Sequence, residues 1–140
     1  MQTLKNQLSL DMALLATNAA MEKARSLGVL MNIAVVDGGS NLKGFSRMDG
    51  ALLGCIDVAI KKARTARLFD METGDMGELS KPGGPLYGID RSNGGLITFH
   101  GGVPIKSPDG VIVGAIGVSG STVENDRAVA PAGAAMLAHC

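Results

Sequence analysis

The sequence predicts an α/β (α+β) fold in which helices cover both faces of a mainly antiparallel sheet. Three observations carry this. Two stretches, from Ser9 to Gly28 and from Ala51 to Phe69, repeat apolar residues at helical spacing. Short β-rich runs are joined by turn signals, which favours hairpins over crossovers. One run, "VIVGAIGVSG", is apolar on both faces and therefore has to be covered on both.

The first helix carries its apolar positions at Leu10, Ala13, Leu14, Ala20, Met21, Ala24 and Leu27, with Ser9 as N-cap and Gly28 as stop. Next come "NIAVVD" and "NLKGFSRM" around "GGS", a β-hairpin whose Gly38 and Gly39 can take the positive φ of a tight turn. The second helix has its stripe at Leu52, Ile56, Ala59, Ile60 and Ala63, with Asp57 and Lys61 as an outward pair. Lys62 falls at the margin of that stripe. From Asp70 to Asn93, "SKPGGP" and "SNGG" interrupt any period, so a long loop with short ordered pieces is expected. Strands follow at "GLITFH", "VPIKS" and "VIVGAIGVSG". The last helix opens at "STVE", a capping-box pattern led by Ser121 with Glu124 three residues on, and Pro131 is expected to kink or fray it.

Length and composition bound the function. A chain of 140 residues, 46% hydrophobic, fits a single domain over 1–140 with a real core. Only four aromatic residues stand against 20 glycines, so small side chains must let backbones approach closely. Thirteen basic residues balance thirteen acidic ones, which leaves no positive field for nucleic acid and one protection fewer against self-association. Cys55 and Cys140 form neither a C-x-x-C pair nor a disulfide framework. With no basic, apolar leader and no run long enough to span a bilayer, a cytoplasmic protein without a membrane partner is expected.

Nucleotide and hydrolase motifs are absent. No G-x-x-x-x-G-K-[ST] occurs, and Gly117 to Ser121 reads G-V-S-G-S, which lacks the last glycine of a nucleophile elbow. The candidates are therefore single residues at element junctions. "GVSGST" runs from a strand into a helix start, where Ser119, Gly120 and free amides either cap the helix or hold an anion. In "SRMDGA", Asp49 either caps the second helix with Arg47 paired to it, or Arg47 serves as an anion clamp. Lys62 either snorkels or faces a pocket. His100, before Gly101 and Gly102 in "FHGGVPIKS", is an iron ligand, a proton carrier or a strand-end residue. His139 stands too far from it for a protein-only zinc pair, whereas haem asks only one axial ligand of the chain.

Taken together, "IAVVDGGSNLKGFSRMDGA", "AIKKARTA", "FHGGVPI" and "VGAIGVSGSTVENDRAVA" resemble the haem-binding HbpS and GlcG-like proteins, a family that includes the C-terminal domain of PduO-type corrinoid adenosyltransferases. The resemblance covers most of the chain. It implies a three-layer α/β/α sandwich around about five strands, similar to a profilin-like fold, and homo-oligomers such as octamers or other rings. It also implies haem or another tetrapyrrole as a ligand. The expectation is a small-ligand-binding protein with Arg47, Asp49, Lys62, His100, Gly101, Gly102, Ser119 and Gly120 around the pocket and His100 as the iron ligand. The alternatives are an enzyme acting on a small carbonyl or carboxylate metabolite, and an assembly module without a ligand of its own.

Overall fold

A computed structural model describes residues 7–136; His139 and Cys140 lie outside the described residues. In chain order the elements are α1 (Leu10–Leu27), β1 (Asn32–Asp37), β2 (Leu42–Arg47), α2 (Cys55–Phe69), α3 (Thr73–Ser80), a 3-10 turn (Ile89–Arg91), β3 (Gly102–Lys106), β4 (Ile112–Ser119) and α4 (Val123–Ala135). The sheet runs β2-β1-β4-β3 with every neighbouring pair antiparallel. α1 and α4 cover one face and α2 the other. That is the expected class and layering, with four strands among the described residues where five were expected.

The missing strand is "GLITFH". Its backbone donors find partners outside any ladder: the Leu96 amide donates to the Asp90 carbonyl (2.8 Å) and the Ile97 amide to Thr65 Oγ1 of α2 (3.2 Å). The segment is therefore a strap laid across α2. The sequence alone could not separate the two, because a short β-rich run needs an available sheet edge to become a strand.

The two faces of the sheet are built differently. Ile33, Val35, Ile116 and Val118 meet α1 and α4, whose contacts are Ala13, Ala16, Ala20, Ala24, Val129 and Ala130. The other face presents Ala34, Val36 and Ala115 to Ala59, Ala63 and Ala66 of α2. On that side Gly117 lies so close beneath the helix that a methyl there would sit inside the Ala59 carbonyl and 2.5 Å from the Ala63 amide nitrogen. The alanine and glycine content, with few aromatics, follows from this close approach. On α1 it is the alanines that pack, while Leu10, Leu14 and Leu27 of the expected stripe remain exposed.

The local details differ in four places. Ser9 caps α1 and Gly28 closes it at φ 69, as expected. In the hairpin, however, positive φ falls on Ser40 (65°), not on Gly38 or Gly39, because the Asp37 carboxylate accepts from the Gly39 and Asn41 amides and shapes the turn itself. α2 starts at Cys55, preceded by turns through Leu52 and Leu53, so Asp49 is not its cap. α4 is capped one residue later than expected, by Thr122, whose hydroxyl accepts from the Asn125 amide (3.2 Å). Pro131 lies within α4, which continues to Ala135. The carbonyl deprived of its partner belongs to exposed Arg127, within reach of water, so the helix tolerates the ring.

Candidate functional site

The β2-β1-β4 register lines up Arg47, Asn32 and Ser119 at one end of the sheet. The turn before β3 joins the same end, where the Val118 amide donates to the Gly101 carbonyl (2.8 Å). Most sequence-singled residues therefore share one rim, but they do not share one hollow. Arg47 is about three strand spacings, roughly 14 Å, from the His100 segment. It and Asp49 are exposed, and no ion pair joins them. Ser119 is buried, and its carbonyl accepts from Asn32 Nδ2 (3.4 Å). Gly120, at φ 152, passes so close to the Leu30 carbonyl that a side chain has no room. Both serve the strand-to-helix junction.

The hollow that includes a predicted residue lies on the α3 side of that rim. It measures about 470 Å³ and is bounded by Gly74, Gly77, Glu78, Lys81, Phe99 and His100, with Val123 of α4 at its edge. Two glycines of α3 create the seat: a methyl on Gly74 would occupy the His100 ring, and one on Gly77 would occupy the Thr98 carbonyl. His100 is thus held by packing, and its Nδ1 is sealed from solvent without a hydrogen-bond partner. At the rim Lys81 pairs with exposed Glu78 (2.9 Å), which draws the Glu78 carboxyl below its usual range. A second hollow of about 480 Å³, between Asp70, Glu72, Asp75, Val103 and Pro131, holds none of the predicted residues. Among the described residues no three His, Cys, Asp or Glu side chains are grouped as a metal site.

Lys62 stands behind the hollow, fully buried (0% exposed). Its ammonium donates to Asp126 Oδ2 (2.8 Å) and to the Val118 carbonyl (3.0 Å), and lies 4.7 Å from the centre of the Phe99 ring. Burial pushes the Lys62 amine down from its ordinary range, against the hydrogen bond and charge of Asp126. Burial likewise pushes the Asp126 carboxyl up, against Lys62 and the Ser121 amide. Desolvation outweighs pairing for both partners. Gly101 (φ 130) crosses so near that a Cβ would sit 2.5 Å from Lys62 Nζ, and a Cβ on Gly102 would sit 2.5 Å from the Lys62 carbonyl. These glycines exist for close approach.

Sequence reasoning missed several members. Thr73 is fully buried and accepts the Gly102 amide at 2.9 Å, tying β3 to α3. Thr73→Val should cost about 1–3 kcal/mol, since it orphans a buried donor; urea unfolding would measure it. Thr73 carried no signal, lying in a presumed loop, and Thr65 stood in the "AIKKARTA" motif without anything to mark it as a partner for the strap. Asp126 did carry one: Lys62 sits in a run of buried alanines, and a lysine there requires a carboxylate elsewhere.

A family model described as haem degrading protein HbpS-like matches residues 8–135. The chain belongs to the HbpS-like family. This HbpS-like chain is 37% identical over 113 residues to an uncharacterized 15.0 kDa protein of the dhaT-dhaS intergenic region of Citrobacter freundii, covering 80% of this chain and 79% of that one. It is 36% identical over 115 residues to corrinoid adenosyltransferase PduO of Salmonella typhimurium, covering 81% of this chain but 34% of PduO. A solved PduOC:heme complex matches the HbpS-like fold with TM-score 0.87 and 34% identity, over 93% of this chain and 94% of that one. No helix among the described residues is long and apolar enough to cross a membrane.

Proposed function

We propose that this HbpS-like chain binds haem or a related tetrapyrrole in a homo-oligomer, with the macrocycle's edge in the His100 hollow. The observation that carries this is the imidazole on the cavity wall, seated by Gly74 and engaged in no hydrogen bond through its sealed nitrogen. The residues present fit the group in kind. His100 offers a nitrogen ligand, Phe99, Pro82 and Val123 offer apolar contact, and Lys81 can exchange Glu78 for a propionate. Bound haem would supply a redox-active iron. The heme complex of the PduOC relative supports the choice of ligand.

At about 470 Å³ the hollow accepts part of a macrocycle, and a second copy of the chain covers the remainder. Exposed Leu30, Leu52 and Leu53, the last two 63% and 71% exposed, support self-association. Leu30 abuts Gly50, and the Leu52 carbonyl accepts from Asn32, which places both at the Arg47 end of the sheet. Titrating the purified protein with hemin should give a Soret band distinct from that of free haem, and His100→Ala should shift or abolish it. A spectrum identical to haem in buffer would refute the reading, and sedimentation of the loaded protein as a monomer would refute its oligomeric part.

A further inference from the structure

We propose that Lys62 is the positioning residue of this site: acting through Phe99 and Gly101, its ammonium holds His100 on the cavity wall. The proposal rests on the reading of the His100 hollow as the ligand site. Lys62 itself is fully buried and touches no ligand space. Its side chain nevertheless ends where four parts of the fold converge: it leaves α2, bonds the Val118 carbonyl of β4, pairs with Asp126 of α4, and lies against the Phe99 ring of the strap.

His100 stands between Phe99 and Gly101, the two strap residues that Lys62 touches. Phe99 is 43% exposed, and the Lys62 ammonium lies against its ring, 4.7 Å from the centroid. Gly101 is confined by Lys62 Nζ and the Val118 carbonyl, which leave no room for a Cβ. His100 has no hydrogen bond at its buried Nδ1, so its ring is placed by the Gly74 seat on one side and by the strap that carries it on the other. The strap's share of that placement comes through Phe99 and Gly101, which Lys62 braces from beneath. The Ile97 and Gly102 amides, bonded to Thr65 and Thr73, anchor the strap on either side, and between them Lys62 braces the Phe99 ring and the carbonyl of Val118, whose own amide holds the Gly101 carbonyl.

Amide hydrogen exchange of the ligand-free protein tests this, so the result is independent of whether haem binds. Two variants serve: Lys62→Met/Asp126→Leu, which leaves no buried charge unpaired, and Asp126→Asn, which keeps the shape of the partner. The expected result is exchange at the Gly102 and Val118 amides that rises about tenfold or more relative to that of the β1–β4 ladder, whose own change reports the shift in global stability. A purely structural role would move both sets together or neither. An equal change across the sheet, no rise at Gly102 and Val118 over the ladder, or failure of both variants to fold would each overturn the proposal. If exchange rises locally as expected while hemin leaves the spectrum of the parent protein unaltered, the positioning role stands and the tetrapyrrole reading falls.

Discussion

Asp126→Leu alone should destabilise the protein by about 3–5 kcal/mol, because it leaves the Lys62 ammonium buried without its counter-charge. The pair is sealed, with side chains 0% and 3% exposed, so water cannot take the place of the lost carboxylate. The double variant Lys62→Met/Asp126→Leu should recover most of that loss, and a gain over the parent of about 1–4 kcal/mol lies within the range for apolar replacement of buried pairs. The shifts point the same way: burial drives the amine down and the carboxyl up despite their mutual hydrogen bond. Urea unfolding of the two singles and the double forms a cycle. Additive losses would show that the two groups do not depend on one another.

Gly117→Val should have an effect at least as large, above about 3 kcal/mol, beyond ordinary overpacking. The obstruction is backbone, the Ala59 carbonyl and the Ala63 amide of α2, so no rotamer change relieves it. Since α2 carries Lys62 and Thr65, displacing the helix also disturbs the strap and His100. Soluble expression and chemical denaturation would measure the loss, and wild-type stability would contradict the packing described for this face. Gly44 provides the control: a Cβ there meets only Ala13 Cβ at 3.8 Å, so Gly44→Ala should be mild by comparison.

The elements whose periods are set locally were legible: α1 between Ser9 and Gly28, the first hairpin, the apolar β4, and the Asp57–Lys61 pair, which closes at 2.9 Å. What escaped depends on contacts distant in sequence. "GLITFH" reads as a strand but lies on α2, where Thr65 takes the Ile97 amide outside any ladder. Thr122 displaces Ser121 as cap by a single residue, a choice decided by where Asn125 presents its amide. For the site, His100, Gly101 and Gly102 lie together and Lys62 lies directly beneath, whereas Arg47 and Asp49 share the rim without reaching the hollow. Lys62 illustrates the limit: its place at the edge of an alanine stripe was readable, but its burial depended on Asp126, 64 positions further on.

The unequal construction of the two sheet faces also sets how the chain can change. Under α1 and α4, branched and thioether side chains interdigitate, and swaps of similar volume can be absorbed by neighbours changing rotamer. Under α2 most contacts are alanine methyls and bare backbone, with Val36 the one larger side chain in the buried cluster, so little can change rotamer. Variation is therefore absorbed more readily behind one layer than behind the other, and the tighter layer is the one that carries the cation beneath the histidine.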